Sequence, residues 1–523
     1  MRSARFRLSP MFAWRLARWV LIGVFVFVLW QWWHPFYGFT RFLQADTVTE
    51  QYLPETLRDA PIFINSVPGR YDGVYYAQIA TSPALRDPDL LRAVDNLSYR
   101  ARRILLSSIA WAVGGGEPVA AVRAYAWLNV ILWFAFAALL WRIFPVTEGW
   151  RSAVGWAGLL LASGTVASVR LALTDLAAAV LLAGAILLLE SGRWRFSTAL
   201  LGLVGLARET ALLGLSALLP EQKTGARELV RRGALIVLAI VPLAGWFWYV
   251  RSAIGPMDSG SDNLTLPLAG WLGRWRELVR LTGTEPNHFL MTGAWLDAIA
   301  LSVQMIYLLW RPQWRDPWWR LGLSFTVLGF CLGPAVWEGL PGAAPRVLLP
   351  LTLAFNVLVF RRRSALLWLL CGNLSVLTGA WSIWTSHEPP AHSLSARTTW
   401  SQKHMLETDA RWSVAEWNRK WRWAWCNGEG GVNFRLWPWA PRAQIELQVR
   451  GITPRTLEVW HEQTRVWRGA IGDRPQWIRL PELPMERGNL RLELRSENVK
   501  TAEDEANLAP TISFACYGAR LVQ

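Results

Sequence analysis

The chain of 523 residues contains few charged residues and few cysteines. Asp, Glu, Lys and Arg make up 18% of the sequence, whereas the hydrophobic set makes up 53%. The apolar residues lie in long runs rather than in short amphipathic periods, which argues against an ordinary soluble enzyme. Four cysteines are too few for a disulfide-rich scaffold, and their spacing matches no zinc-binding pattern. The sequence therefore indicates an integral membrane protein.

Basic residues are in excess, with a formal net charge of +16, but they form no Lys/Arg-rich arm with interleaved aromatic residues. A nucleic-acid partner is therefore not expected. The basic residues lie between apolar runs, where they set the orientation of membrane spans. At the N-terminus, a basic stretch precedes a long apolar run that lacks a small-residue cleavage site. This pattern predicts an uncleaved anchor with its N-terminus in the cytoplasm.

Ten apolar runs are close to the roughly 20 residues that a transmembrane helix needs. They are residues 13–33, 118–143, 151–169, 174–191, 196–219, 233–252, 292–311, 318–337, 346–361 and 363–384. If residues 196–219 break at Arg208 and Glu209 into two short helices, the basic stretches on both sides lie in the cytoplasm, as the positive-inside rule requires. Residues 1–385 are therefore predicted to form a polytopic helical membrane domain with about eleven passes and a large first outer loop, residues 34–117.

The tail, residues 386–523, has a different pattern. Short alternating stretches such as AQIELQVRGI, NLRLELRSE and TISFACYGARLV are separated by turn residues, which is typical of an all-β, jelly-roll-like sandwich. Cys426 and Cys516 lie in its first and last strand regions, where they form either a disulfide or two buried thiols. Cys331 and Cys371 are expected inside helices as small apolar residues.

Three tryptophans alternate at the start of this tail, in the run RKWRWAWCNG. Because alternate residues of a strand share one face, Trp421, Trp423 and Trp425 are predicted to lie side by side. Aromatic faces stack on sugar rings, so a sugar platform is one interpretation. The other interpretation, which we expect, places the three side chains in the core of the sandwich.

Placing ionisable side chains at membrane depth costs free energy, so ionisable residues next to apolar spans are candidate site residues. On the predicted outer side they are Asp72, between Tyr71 and Tyr75, then Arg170, Asp175, Arg208, Glu209 and Arg346. A carboxylate can take a proton from a hydroxyl group, and guanidinium groups can bind phosphate through paired hydrogen bonds. Together these groups suit the transfer of a sugar from a lipid-linked phosphate at the membrane interface.

The order and sidedness of these motifs resemble the GT-C superfamily of integral membrane glycosyltransferases, including mannosyltransferase-like and aminoarabinose-transferase-like members. The similarity covers about residues 10–385 and rests on YDGVY, TDLAAA, LARET and PRVLLP. The resemblance implies that Asp72 is the general base of a single inverting displacement and that Arg208 and Arg346 contact the lipid phosphate. Further candidates for substrate binding are Glu209, Tyr71, Tyr75, Arg103 and Asp175.

The resemblance also implies the partners and the location. The donor would be a polyprenyl-phosphate sugar, and the acceptor a glycan, a lipid or a protein. The site would face the periplasm of a bacterial inner membrane, with the tail on the same side. The tail resembles carbohydrate-binding-like β-sandwich domains in its fold pattern. Two rival functions are a flippase or transporter of lipid-linked saccharides, although only one interrupted helix is predicted, and a non-catalytic envelope-assembly scaffold.

Asp87 and Asp89 form an Asp-x-Asp pair, which binds a divalent cation in metal-dependent relatives. Their surroundings are more typical of a turn that opens a helix, with Asp as the cap, so neither a metal nor another cofactor is expected. Asp46 is a rival for the general base, and its alternative role is also that of a helix cap.

Each outer candidate has a purely structural explanation as well. Asp72 could lie in an exposed turn, and Arg208 and Glu209 could pair with each other. Arg346 could extend to the headgroups as an interface anchor. Asp175 is expected to be an N-cap.

Three further arginines, Arg100, Arg102 and Arg103, precede an apolar run. They are predicted to lie on an interfacial amphipathic helix, where they could also help to bind the donor phosphate.

Overall fold

The computed structural model describes residues 10–58, 60–69, 71–220, 225–256, 263–384, 389–395, 402–418, 421–496 and 513–522. The chain divides into two compact units. The helical unit comprises Met1–Val28, Tyr52–Ala60 and Tyr71–Thr385, and the β unit comprises Leu29–Gln51, Pro61–Arg70 and Ser386–Gln523. Two pieces of the predicted first outer loop therefore belong to the same unit as the tail.

Helices are numbered α1 to α20 in chain order among the described residues. They are Pro10–Trp32, Thr47–Glu50, Asp72–Ile79, Leu90–Ala93, Leu97–Arg100, Ile104–Val113, Pro118–Ile143, Trp150–Leu160, Ser163–Arg170, Asp175–Glu190, Trp194–Ala207, Ala226–Ile254, Ala269–Leu281, His288–Trp310, Pro317–Cys331, Pro334–Trp337, Ala344–Val347, Leu349–Arg361, Leu366–Cys371 and Ser375–Trp384. Segments of 3-10 helix are Thr40–Leu43, Glu55–Leu57, Ala101–Arg103, Val146–Glu148 and Glu209–Leu218.

Within these described segments, six helical stretches are long and apolar enough to cross a membrane. They are Met11–Trp32, Pro118–Ile143, Trp150–Arg170, Ala226–Ile254, His288–Trp310 and Leu366–Trp384. Three shorter apolar helices are Trp194–Ala207, Glu209–Leu218 and Leu349–Arg361. The prediction of a helical region with several membrane-length helices is therefore confirmed.

Several long helices begin where the sequence supplies a cap. The carboxylate of Glu117 accepts hydrogen bonds from the amides of Val119 and Ala120 at the start of α7. Asn287 caps α14, and Asp316 caps α15. These side chains satisfy amides that have no partner within the first turn of a helix, so they define where each helix starts.

The predicted break in residues 196–219 is confirmed. Helix α11 ends at Ala207, and a 3-10 helix begins at Glu209. Between them Arg208 is extended, with φ −157° and ψ 121°. The prediction of a single interrupted span was wrong, because bends also divide residues 150–170 at 161–162 and residues 366–384 at 372–374. The first of these bends falls at Leu161 and Ala162, directly before Ser163 and Gly164, a dipeptide that favours a turn.

The described strands of the β unit are numbered β1 to β12 in chain order. They are His404–Thr408, Glu416–Trp417, Arg422–Cys426, Glu429–Leu436, Arg442–Ala443, Ile445–Gly451, Arg455–His461, Thr464–Ile471, Gln476–Arg479, Leu483–Pro484, Asn489–Ser496 and Phe514–Leu521. They form two five-stranded antiparallel sheets with strand orders β1-β4-β11-β7-β8 and β2-β3-β12-β6-β9, and a short β5-β10 pair. The predicted all-β character of the tail, with antiparallel sheets, is confirmed.

Alternate residues of these strands form one hydrophobic core. In β6 the core residues are Ile445, Leu447 and Val449. Phe434 of β4 and Leu490 of β11 are paired across the other sheet and belong to the same core. This alternation follows from the two-residue period of a strand, which sends successive side chains to opposite faces.

The prediction that the three tryptophans fill this core was wrong. The core residues of β3 are Ala424 and Cys426. The opposite face of the sheet carries the half-buried Trp423 and Trp425, and Trp423 stacks on Tyr517 with a centroid distance of 5.8 Å. The ring of Trp421 also contacts Tyr517, at 6.0 Å. Pairing of β3 with β12 decides which alternate set faces inward, and composition alone does not reveal it.

Cys426 and Cys516 are free, buried thiols rather than a disulfide. Burial raises the pKa of each thiol to about 12, so both are protonated at neutral pH. Cys331 and Cys371 are the last residues of α15 and α19, in agreement with their expected place in helices.

Asp46 lies in the β unit, where it caps α2. Its carboxylate accepts hydrogen bonds from the amides of Thr49 at 2.8 Å and Gly69 at 3.0 Å, and the residue is 1% exposed. The cap explanation therefore accounts for Asp46. Nearby in this unit, His392 Nε2 lies 2.7 Å from a carboxylate oxygen of Glu50.

Candidate functional site

Asp72 is the first residue of α3, a position where a carboxylate is stabilised by the positive end of the helix dipole. The next residue, Gly73, packs so closely that a Cβ atom there would overlap the carbonyl oxygen of Leu171. The start of α3 is therefore held against the chain that follows α9. The explanation of Asp72 as an exposed turn residue was wrong, because its side chain is only 19% exposed and forms ion pairs.

The carboxylate of Asp72 contacts two arginines from distant segments. One oxygen lies 3.0 Å from Arg100 Nη1, and the other lies 3.7 Å from Arg346 Nη2. The same Arg346 nitrogen donates a 3.0 Å hydrogen bond to the hydroxyl group of Tyr71. Arg346 also lies over the Tyr71 ring, 5.2 Å from its centroid.

Asp175 joins Arg346 to Arg208. Its carboxylate forms an ion pair with Arg208 and lies 3.4 Å from Arg346 Nη1. The side chain of Asp175 is 1% exposed, so both interactions are shielded from solvent. The expectation that Asp175 is an N-cap was wrong, because Thr174 occupies the N-cap position of α10 and Asp175 is the first residue of the helix.

Arg103 and Glu209 form a second part of the cluster. Arg103 donates two parallel hydrogen bonds to the Glu209 carboxylate, each of 2.8 Å. It also donates to the hydroxyl groups of Tyr76 at 2.7 Å and Tyr99 at 3.2 Å. The structural explanation in which Arg208 and Glu209 pair with each other was therefore wrong. The extended backbone at Arg208 separates the two side chains.

Arg346 lies inside the helical unit and does not reach out as an interface anchor. Its short helix α17 packs against α9, where a Cβ atom on Gly164 would overlap the carbonyl oxygen of Pro345. The Arg346 side chain is 11% exposed, and its Nε atom is buried without a hydrogen-bond partner. The anchor explanation was therefore wrong.

Three arginines of the first loop lie over aromatic rings. Arg100 lies 5.3 Å from the ring centroid of Tyr75 and 5.6 Å from that of Tyr99. Arg102 and Arg103 also lie over Tyr99. Both of these residues lie on the buried 3-10 segment Ala101–Arg103 and are at most 7% exposed, which differs from the predicted interfacial amphipathic helix.

Charges in this cluster are not balanced. The carboxylates are Asp72, Asp95, Asp175 and Glu209, and the guanidinium groups are Arg100, Arg102, Arg103, Arg208 and Arg346. Five positive groups therefore face four negative ones, and an anion placed among them would be favoured.

The structure brings all eight sequence-predicted site residues into this one cluster. They are Tyr71, Asp72, Tyr75, Arg103, Asp175, Arg208, Glu209 and Arg346. Sequence reasoning missed Tyr76 and Tyr99. Tyr76 follows Asp72 by four residues and Tyr99 precedes Arg103 by four, a helical spacing that could have revealed both.

Burial raises the pKa of the Tyr76 phenol, although the charge of Arg103 opposes this shift. The phenol therefore stays protonated at neutral pH and can donate one hydrogen bond while it accepts the one from Arg103.

Asp87 and Asp89 lie in the turn that opens α4, as expected, but the expected capping role was wrong, because Asp89 at the N-cap position makes no side-chain capping hydrogen bond. Asp87 accepts a hydrogen bond from the Asp89 amide at 2.9 Å, and Asp89 accepts one from the Glu55 amide at 3.0 Å. Within the described parts of the chain, no group of three or more His, Cys, Asp and Glu side chains is placed to hold a metal ion.

No protein-family model, curated protein or solved structure matches this chain.

Proposed function

We propose that this protein is a membrane glycosyltransferase that transfers a sugar from a polyprenyl-phosphate donor to an acceptor hydroxyl group. The observation that carries the proposal is the sharing of Arg346 between Asp72 and Asp175, with Asp175 also paired to Arg208. A candidate base and two candidate phosphate ligands, taken from segments far apart in sequence, thus belong to one cluster. A scaffold has no need for that convergence.

Side-chain exposure suggests different roles within the cluster. Asp72 and Glu209 are each 19% exposed, whereas Asp175 is 1% exposed. A substrate can therefore reach Asp72 but not Asp175. We assign Asp72 to the chemistry and Asp175 to positioning Arg208 and Arg346.

The reaction would be a single displacement that inverts the sugar. The acceptor oxygen attacks the anomeric carbon as its proton passes to Asp72. The bond between this carbon and the phosphate oxygen breaks, and the electron pair leaves with the polyprenyl phosphate. Arg346 and Arg208 would stabilise the negative charge that develops on this phosphate. Before the reaction, the substrate must displace Arg100 from the Asp72 carboxylate.

The proposal includes the topology and location that the charge pattern predicts. The chain would make eleven passes through a bacterial inner membrane, with a cytoplasmic N-terminus and a periplasmic site and tail. The acceptor would be a glycan, a lipid or a protein. The pieces of 3-10 helix and the short helices would complete the passes that the six long stretches do not account for.

The test is sugar transfer by the purified full-length protein with a panel of polyprenyl-phosphate hexoses, pentoses and amino sugars. Release of polyprenyl phosphate is followed by mass spectrometry, with a membrane extract as the acceptor source. Asp72→Asn should lower turnover about 100-fold or more, because general bases contribute roughly 10²- to 10⁴-fold.

The matched control is Asp89→Asn, which removes a carboxylate from a turn in the same loop and should keep near wild-type turnover. If Asp72→Asn transfers sugar as fast as this control, Asp72 is not the base. If no donor in the panel is consumed by the wild-type protein, the glycosyltransferase assignment fails.

A flippase for lipid-linked saccharides is the second candidate, and the additional helix breaks favour it. Interrupted helices are common in transporters, where they border substrate sites, and here they occur at 161–162 and 372–374 as well as at Arg208. Movement of the intact lipid-linked saccharide across vesicles, without cleavage of its phosphate bond, would support this function.

A further inference from the structure

The helical unit has a second polar region at the opposite ends of two helices that position the Asp72 cluster. Helix α10 begins at Asp175 and ends at Glu190, and α18 follows Arg346 and ends at Arg361. With a rise of about 1.5 Å per residue, the two ends of α10 are roughly 22 Å apart. The region around Glu190 and Arg361 is therefore distinct from the proposed sugar-transfer site.

A cavity of about 580 Å³ lies there, a size typical of small-ligand sites. Its polar lining consists of Glu190, Gln313, Arg315, Asp316, Arg361 and Arg362. Most of these residues come from the connection between α14 and α15 and from the end of α18.

Hydrogen bonds within the protein fix the walls of this cavity. Arg361 donates hydrogen bonds of 2.6 Å and 2.9 Å to the two carboxylate oxygens of Glu190, and the Trp318 indole donates a third at 2.9 Å. Arg320 donates to the carbonyl oxygens of Trp314 and Ala217, at 2.6 Å and 2.8 Å. The cavity is therefore largely preformed.

Donor groups in the cavity are left without acceptors. Gln313 is 8% exposed, and its Nε2 atom is buried with no hydrogen-bond partner. A buried donor without an acceptor costs about 1–3 kcal/mol, so an acceptor is expected at this position. Arg315 and Arg362 are exposed, and among the described residues neither forms an ion pair.

We propose that this cavity binds the phosphate group of an anionic phospholipid. The phosphate oxygens would accept hydrogen bonds from the Gln313 amide and from Arg315 and Arg362, whose guanidinium groups suit phosphate. The Asp316 carboxylate could accept from the hydroxyl groups of a glycerol headgroup. Phosphatidylglycerol combines both features.

The surroundings favour a lipid over a soluble phosphate. Trp310 and Trp314 are 73% and 59% exposed at this end of the unit, and the adjacent Leu309 is 51% exposed. Exposed Trp side chains gather where a membrane meets water, and an acyl chain could lie along them. A soluble ligand would gain nothing from this apolar rim.

The experiment is a native mass-spectrometry titration of the full-length protein in detergent. The probes are phosphatidylglycerol, phosphatidylcholine with the same acyl chains, and inorganic phosphate alone. We expect phosphatidylglycerol to bind at least tenfold more tightly than phosphatidylcholine. The Arg315→Gln/Arg362→Gln variant should lose this preference, and Gln313→Leu should weaken it.

The matched control is Arg142→Gln/Arg195→Gln, which removes two exposed arginines that do not line the cavity. It should bind phosphatidylglycerol within twofold of the wild-type protein. Equal losses in the cavity variant and the control would overturn the proposal, since they would show only a general charge effect. Binding of inorganic phosphate as tight as that of the lipid, and lost in the cavity variant, would overturn the lipid as the ligand.

Discussion

Arg346 donates a 3.0 Å hydrogen bond to the hydroxyl group of Tyr71, although the two residues are 275 positions apart in the sequence. The same guanidinium group contacts Asp72 and Asp175. Arg346 therefore connects the start of α3, in the first loop, to the start of α10. Its planar shape allows these contacts to be made in different directions at once.

Arg346→Lys should reduce sugar transfer at least tenfold, which corresponds to about 1.4 kcal/mol of lost transition-state stabilisation. The charge is kept, but an ammonium group cannot reproduce the planar contacts with Asp175 and Tyr71. Steady-state kinetics with a polyprenyl-phosphate sugar would measure the effect. Arg86→Lys, at an exposed residue of the first loop, is the control and should leave sugar transfer unchanged. Full activity of Arg346→Lys would show that shape is unimportant at this position.

Asp175→Asn should destabilise the protein by about 3–5 kcal/mol, because it leaves two buried guanidinium groups without their carboxylate. Denaturant unfolding of the protein in detergent would measure this loss. The control is Glu148→Gln, which removes one partner of the exposed Glu148–Arg363 pair. Surface pairs contribute about 1 kcal/mol or less, so this variant should unfold almost as the wild type does. Equal stabilities for the two variants would contradict a buried structural role for Asp175.

Gly73→Ala should lower both stability and sugar transfer. The added Cβ atom would overlap the carbonyl oxygen of Leu171 and push the start of α3, with Asp72, away from the cluster. Thermal unfolding and turnover would be measured on the same preparation. Gly233→Ala is the control, since no atom lies within 4 Å of its added Cβ, and it should be neutral or up to about 1 kcal/mol stabilising. Normal turnover in Gly73→Ala would show that this close approach does not position Asp72.

The pair of His392 and Glu50 should make the stability of the β unit depend on pH. Burial lowers the pKa of His392. Its hydrogen bond to Glu50 and the charges of Glu50, Glu407 and Asp409 together outweigh this effect, so the folded-state pKa is raised above the ordinary value of 6.5. The stabilisation is therefore fully present below pH 6.5 and is lost as the pH rises through the raised pKa.

We expect wild type and His392→Gln to differ in unfolding free energy by about 1 kcal/mol or less at pH 5.5 and to converge in alkaline solution. Thermal unfolding across this pH range measures the difference. Thr464→Ser, at an exposed residue of β8, provides the comparison; it removes no titratable group and should show a difference that does not change with pH. A gap between wild type and His392→Gln that widens in alkaline solution would contradict the predicted sign.

Much of the helical unit follows from local sequence. The predicted span at residues 118–143 coincides with α7, because an apolar run of the right length is capped by Glu117 at one end. Charge placement on both sides of residues 196–219 was enough to predict the break at Arg208. By contrast, residues 151–169 were predicted as one span, although Ser163 and Gly164, a dipeptide that favours a turn, directly follow the bend at 161–162.

The candidate site could be predicted as a set of residues but not as a set of contacts. Outer-side position and residue type selected Asp72, Arg208 and Arg346. The sequence also favoured a capping role for Asp175 and allowed Arg208 to pair with Glu209, and both interpretations failed. Both interpretations depended on which helix starts lie next to each other in the fold. Neighbouring residues in the sequence carry no information about that arrangement.

The sequence by itself determined a helical membrane region followed by an all-β tail. The length of an apolar run and the two-residue alternation of a strand are local properties, so they do not depend on where the segments lie in the fold. Tertiary structure alone decided that Asp175 pairs with Arg208 and Arg346, and that Ala424 rather than Trp423 faces the sandwich core. Ion-pair partners and strand faces depend on long-range packing and register, since a carboxylate is stabilised by whichever guanidinium group the fold brings beside it.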